Sequence, residues 1–174
     1  MEIYRYRVIL DNDKNVFRDI EIHRDATLEE FHNAIVNAFG FDGMQMASFY
    51  QSNDDWAQGQ EYSLFDMFDE EEKNLDTGRM SAFKLSEVCS NAGDKMLYIY
   101  DFFNMWTFYV ELVKTLEPDP GHEYPRLVLV LGSMPDSKEE IQFQSDHDNG
   151  LGEGAEYEEE DEEDGGFDED DDWN

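Results

Sequence analysis

The sequence predicts a single α+β domain with a mixed or antiparallel sheet and a β-grasp-like start, followed by a disordered acidic tail. Three observations lead to this class: two alternating segments near the amino terminus, one helix with clear start and stop signals, and a second, aromatic pair of strands. In a β-grasp-like start, a hairpin, a helix and a strand follow in this order and the helix packs across the sheet. We expect the domain in residues 1–135 and the tail in residues 136–174.

Two segments at the amino terminus form the first predicted hairpin. Residues 2–10 alternate bulky apolar side chains with two arginines, which is the period-two pattern of a half-buried strand. Residues 11–15 are of the turn type, and residues 16–22 alternate again. The turn lacks the glycine and the bidentate glutamate that a calcium loop needs, so we expect no calcium site there.

A helix is predicted to begin at Thr27 and to end at Gly40. Glu30 completes a capping box with Thr27, and a glycine just past the last apolar residue is a typical helix stop. The apolar residues recur at helical spacing, at Leu28, Phe31, Ile35, Ala38 and Phe39. His32 lies near this stripe without a spaced His, Cys or acidic partner, so we expect it to pack or lie at the surface rather than bind a metal.

The remaining segments are assigned by the same patterns. Residues 46–50 predict a third strand, and residues 52–78 an acidic inserted loop around a short apolar piece. Residues 80–84 resemble a strand that leads into a short helix from Ser86. The all-apolar run at residues 127–131, between a proline and a glycine, suits a central strand that is buried on both faces.

The second predicted hairpin joins residues 96–102 to residues 106–113 through Phe103-Asn104-Met105. Its alternation places Trp106 and Phe108 on the buried face.

Charge restricts the classes of partner. The chain has 174 residues and a net charge of -32, and residues 146–174 hold 16 acidic and no basic side chains. Such a tail is expected to be disordered, and the charge disfavours contact with nucleic acid, whose affinity comes mainly from phosphate neutralisation.

One cysteine, no leader pattern and no membrane-length apolar run predict a reduced, cytoplasmic protein without a membrane contact. Cys89 is expected to be a small buried apolar residue rather than a reactive thiol.

The second hairpin also carries a family resemblance. Residues 97–106, Leu-Tyr-Ile-Tyr-Asp-Phe-Phe-Asn-Met-Trp, resemble the Tyr-Xaa-Tyr-Asp-Phe-Gly-Asp-Xaa-Trp block of the plasmid pRiA4b ORF-3-like family. Residues 27–35 with Phe39-Gly40-Phe41 resemble its helix, Phe49 its next strand and residues 124–126 its Tyr-Pro block. The resemblance spans residues 3–132 and implies an α+β fold and a mobile-element association, since members are often labelled transposon-associated or TnpR-like, but it implies no settled activity.

The departures from that family matter as well. Its Gly-Asp after Tyr-Asp-Phe is Phe103-Asn104 here, its histidine near the third strand is Gln45 or Met46, and the acidic tail largely replaces its carboxy-terminal block. A polar site that depends on those groups would be lost. Recombinase chemistry would need a nucleophile in an arginine cluster, whereas the arginines are few and scattered along this chain.

A candidate site lies at the second hairpin, where a carboxylate stands among aromatic residues. Its members are Tyr98, Tyr100, Asp101, Asn104 and Trp106. Asp101 has two possible roles: it accepts turn or arginine hydrogen bonds and holds the hairpin, or it binds a polar ligand in an aromatic pocket. An ion pair with Arg5 or Arg7 would support the first role, and an open pocket the second.

The leading functional hypothesis is a non-enzymatic protein-interaction module whose acidic tail engages a basic protein partner. The sequence shows no metal-ligand spacing, phosphate loop or nucleophile motif, so we expect no metal and no cofactor. The alternative is a small-molecule or hydrolytic site near Asp101 and Trp106. A third hypothesis is that the tail mimics DNA and occupies basic clefts.

Overall fold

The computed structural model describes residues 1–65 and 77–135, which form one sheet with helices on it. The strands are β1 (Ile3–Leu10), β2 (Phe17–His23), β3 (Ala47–Ser52), β4 (Glu61–Ser63), β5 (Thr77–Arg79), β6 (Lys95–Tyr100), β7 (Trp106–Leu116) and β8 (Arg126–Leu131). The helices are α1 (Leu28–Phe39) and α2 (Leu85–Val88), with a 3-10 turn at Met80–Ala82. The predicted tail, residues 136–174, lies outside the described residues, as does the middle of the predicted acidic loop.

The sheet has the strand order β5-β4-β3-β6-β7-β1-β2-β8. Among the described strands, β4 and β5 alone pair in parallel, and every other pair is antiparallel. The predicted α+β class with a mixed sheet is therefore confirmed, as are both hairpins. β1 also pairs with β7 over its whole length, with Val8 opposite Val110, and this non-local pairing joins the two hairpins.

The predicted limits of α1 are confirmed by its caps. The amide of Glu30 donates to Oγ1 of Thr27 at 3.2 Å, and the Glu30 carboxylate accepts from the Thr27 amide at 2.7 Å. Gly40 ends the helix in the left-handed region at φ 75°, which glycine adopts without strain, and its amide donates to the carbonyl of Val36.

An aromatic core lies between α1 and one face of the sheet. Phe31 of α1 lies 4.7 Å from the Tyr6 ring of β1 and 5.5 Å from Phe49 of β3, between ring centroids. Phe108 of β7 and Tyr98 of β6 continue this cluster at 5.8 Å, and all five side chains are fully buried. Every second residue of these strands therefore faces the core, as the period-two pattern of the sequence predicted.

Three expectations about local structure are wrong. Residues 80–84 do not form a strand: Met80–Ala82 is a 3-10 turn, and Phe83 accepts a hydrogen bond from the amide of Leu28. The cause is tertiary, because the segment closes against the start of α1 instead of pairing along the sheet. The residues 52–78, predicted as a loop, also include β4, whose Tyr62 pairs with Phe49 of β3.

The third error concerns β8, which was predicted to be a central strand buried on both faces. Among the described strands it pairs with β2 alone, so it forms an edge of the described sheet. Four of its apolar side chains are between 44% and 52% exposed: Leu127, Leu129, Val130 and Leu131. An apolar run predicts that a strand exists, but its number of neighbours depends on residues far away in the sequence.

Candidate functional site

The turn of the second hairpin uses the carboxylate of Asp101 for its own hydrogen bonds. Asp101 has φ 60°, and its side chain accepts from the amides of Phe103 at 3.1 Å and Asn104 at 3.3 Å. The side-chain amide of Asn104 donates to the other oxygen at 2.6 Å. Aspartate tolerates this backbone region because its side chain bonds the following amides. The contacts on both carboxylate oxygens support the structural role of Asp101 and Asn104.

The three aromatic members of the candidate site face the core. The Tyr98 hydroxyl lies 2.7 Å from Nδ1 of His32. The Tyr100 hydroxyl donates to Asp42 at 2.9 Å, and its ring stacks on Phe41 at 4.3 Å. Trp106 packs on the same Phe41 ring at 5.9 Å and is 9% exposed. The structure thus divides the candidate set into a polar turn and an aromatic core layer.

Arg5 and Arg7, the cations considered as partners of Asp101, pair with carboxylates of β2 instead. Arg7 forms a bidentate pair with Asp19 at 2.8 and 2.9 Å, and Arg5 binds Glu21. Asp19 and Glu21 are almost fully buried, and hydrogen bonding to Asp19 raises the pKa of Arg7. Both arginines therefore form their ion pairs within the sheet, with carboxylates of β2.

His32 is a packing residue, as expected, and its imidazole shares a hydrogen bond with the Tyr98 hydroxyl. The imidazole is 2% exposed, and burial lowers its pKa from 6.5 to about 4, so it is neutral near pH 7. Across residues 1–65 and 77–135, no three His, Cys, Asp or Glu side chains are grouped to hold a metal ion.

Cys89 is completely buried, and burial raises the pKa of its thiol to about 12. The thiolate that nucleophilic chemistry requires is thus scarce at neutral pH. The backbone carbonyl of Cys89 accepts a hydrogen bond from the Tyr6 hydroxyl at 2.8 Å, which ties α2 to β1. These contacts support a packing role.

Arg18 is a buried cation that the sequence pattern did not single out. It is 6% exposed, and burial lowers its pKa. Its guanidinium donates to the carbonyls of Ala38 at 3.2 Å, Leu131 at 2.9 Å and Gly132 at 3.1 Å, and lies over the Phe39 ring. Arg18 therefore joins the end of α1 to the end of β8.

The two edges of the described sheet differ in a way that matters for binding. β5 has three residues, and short edge strands resist pairing with other chains. β8 has six residues and exposes apolar side chains on both of its faces, since Leu127 lies opposite the core residue Ile20 and Leu129 opposite Asp19. The run of apolar residues was the sequence signal for β8, whereas its exposure follows from its position at the edge of the described sheet, beside β2.

The described helices include none that is long and apolar enough to cross a membrane.

Comparison with known proteins gives a family and a fold. The sequence model described as plasmid pRiA4b ORF-3-like protein matches residues 2–164. The crystal structure of protein of unknown function MM3350 from Methanosarcina mazei Go1 is similar at 20% identity and a TM-score of 0.61, over 74% of this chain and 68% of that one. At this identity the likeness concerns the fold alone. No curated protein matches the chain.

Proposed function

The chain belongs to the plasmid pRiA4b ORF-3-like family, and within that family we propose that it is a protein-interaction module that binds an extended, basic segment of a partner protein along β8. The observation that carries this proposal is the exposed apolar edge formed by Leu127, Leu129, Val130 and Leu131. This set of residues, together with the free side of the β8 backbone, is called the β8 edge below.

An edge strand offers hydrogen-bond donors and acceptors to a second strand. Six residues of β8 span about 20 Å, and alternate backbone groups along them point away from β2. A segment added as a further strand would satisfy those groups and cover the apolar side chains, which is the mode of β-augmentation. Soluble proteins usually blunt such edges with charges or prolines, whereas β8 begins with Arg126 and continues with apolar residues only.

Charge complementarity favours a basic partner. The acidic segment starts at Asp136, five residues after the end of β8, and residues 136–174 hold 19 acidic side chains and one basic side chain. This net negative charge attracts a basic segment of a partner protein to the chain. A second copy of this chain fits poorly as the occupant, because two chains of net charge -32 repel each other.

The runner-up function, a small-molecule or hydrolytic site near Asp101 and Trp106, has weaker support. Both oxygens of Asp101 already accept hydrogen bonds from the turn, and Trp106 packs on Phe41. A ligand there would have to displace Asn104 from the carboxylate. Screening a metabolite library by thermal shift against the protein and Asp101→Asn tests it, since only a site at Asp101 gives a shift that the variant loses.

A peptide selection tests the leading proposal. Random peptides displayed on phage are selected against the full-length chain, and the affinities of enriched peptides are measured by fluorescence anisotropy. We expect peptides with alternating apolar residues and a basic cluster. Leu129→Lys should weaken their binding at least about tenfold, because lysine removes apolar contact and because a charged side chain on an edge strand opposes pairing with another strand.

Two controls make this experiment decisive. Val113→Lys adds the same charge to an exposed apolar residue of β7, which lies inside the sheet, and should leave the affinity unchanged. Replacing the twelve carboxylates of residues 158–164 and 168–172 by amides should reduce the salt dependence of binding. Equal binding to the two lysine variants, or no enriched peptide, would refute the proposal.

A further inference from the structure

A cleft opens between α1 and β8 on the core side of the β8 edge. It has a volume of about 170 Å³, and its apolar walls are Ile20, Ala34, Ala38 and Leu127, with Asn37, Pro125 and Arg126 around them. Ile20 is 1% exposed, whereas Leu127 directly opposite it in the sheet is 44% exposed. The outer wall of the cleft is thus an apolar side chain that α1 does not cover.

The sequence creates this space in two ways. Ala34 and Ala38 stand four residues apart on α1, hence on the same helix face, and both have the smallest apolar side chain. The pairing of β2 with β8 also contains an irregularity between Asp19 and Ile20, where two residues of β2 face three of β8. Such a bulge bends the strand, and here it lies beside the cleft.

The register places a partner side chain over the cleft. Residues that lie directly opposite each other in paired strands point to the same face of the sheet. A residue of an added strand opposite Leu127 would therefore point toward α1. An engineered cavity of about 150 Å³ in another protein holds benzene, so the volume here suits a branched or aromatic side chain.

We infer that the cleft between α1 and β8 is a specificity pocket that holds one large apolar side chain, such as Leu, Met or Phe, of the strand bound on the β8 edge. This inference rests on the proposed function and adds which residue of the partner is recognised. Arg126, whose Nε lies 3.6 Å from a Glu21 oxygen, stands at the pocket and disfavours a basic side chain in it.

The test fills the pocket and measures how strongly binding depends on the large apolar side chain of the peptide, which is called the anchor. Ala38 is only partly buried, so Ala38→Leu adds volume at the pocket with little strain, and Ala38→Ser keeps the pocket open as the matched control. The probe is the best fluorescein-labelled peptide selected on the unmodified chain, together with its version in which the anchor is alanine. With an open pocket, the alanine peptide should bind about tenfold more weakly. With Ala38→Leu, the two peptides should bind equally.

The outcomes separate this inference from the proposed function. One outcome is that Leu129→Lys weakens peptide binding, while replacing the anchor by alanine lowers the affinity by the same factor for Ala38→Leu and Ala38→Ser. This outcome would refute the pocket but not the proposed binding along β8. If no selected peptide depends on Leu129, both fail.

Methyl NMR of the unmodified chain provides a second measurement that needs no variant. Titration with the selected peptide should shift the methyl signals of Leu127 and Ala38 and leave that of Val113 unchanged. Unchanged Leu127 and Ala38 signals at saturation would contradict the pocket. Protection, in the free chain, of those β8 amides that point away from β2 would contradict it too, because the edge would then already be covered.

Discussion

The buried pair of His32 and Tyr98 predicts how stability depends on pH. His32 is 2% exposed and its pKa falls from the ordinary 6.5 to about 4, because burial disfavours the charged imidazolium. The unfolded chain therefore binds a proton at this residue below about pH 6.5, whereas the folded chain does not until about pH 4. Stability from this residue is complete above pH 6.5 and is lost as the pH falls toward 4.

The magnitude follows from the two pKa values of His32. Linkage gives a loss of about 2 kcal/mol in unfolding free energy between about pH 7.5 and pH 5.0. The variant His32→Phe lacks this titration, and it should lose about 2 kcal/mol less over the same interval. It should be less stable than the unmodified chain at neutral pH by about 1 to 3 kcal/mol, since the buried Tyr98 hydroxyl loses its partner.

Urea unfolding at both pH values, followed by tryptophan fluorescence, checks the His32 prediction. All other titrating groups are common to the two proteins, so their effects cancel in the difference. If His32→Phe and the unmodified chain lose the same stability, His32 is not a buried neutral imidazole and the reasoning is refuted.

Three further predictions concern single residues. Thr27→Ala should destabilise the protein by about 1 kcal/mol in urea unfolding, because the α1 cap is lost; an unchanged midpoint would contradict the cap. Arg18→Met should cost about 3 kcal/mol by the same measurement, because the hydrogen bonds from the charged, buried guanidinium to the carbonyls of Leu131 and Ala38 are lost; a cost under about 0.5 kcal/mol would show that water replaces the guanidinium. Cys89 should react with a thiol reagent only at the rate of unfolding, since its thiol is buried with a pKa of about 12; rapid labelling of the native chain would exclude a buried thiol.

The parts of the fold that were predictable depend on local chemistry. Thr27, Glu30 and Gly40 define α1 within a few residues of its own sequence, so its limits were evident. The two hairpins follow from period-two alternation, which shows directly which side chains share a face. The aromatic layer under the second hairpin was predicted for Trp106 and Phe108 on the same basis.

The unpredicted parts depend on contacts between distant segments. His32 and Tyr98 are 66 residues apart, and Arg18 reaches a carbonyl 113 residues away, so neither contact is visible in a sequence window. The position of β8 at the sheet edge likewise follows from its pairing with β2, more than 100 residues earlier. The sequence singled out Asp101 but left two roles open, a turn acceptor or a ligand-binding group. The hydrogen bond from the Asn104 side chain to its carboxylate, which supports the turn role, is visible only in the structure.

Hydrogen exchange of the β8 amides tests the central claim most directly. The full-length chain is measured alone and saturated with the selected peptide. We predict that the peptide slows exchange within Arg126–Leu131 and leaves the opposite edge strand β5 and the turn at Asp101 unchanged. Slower exchange at the Asp101 turn, with β8 unaffected, would contradict the account and favour a site on the second hairpin.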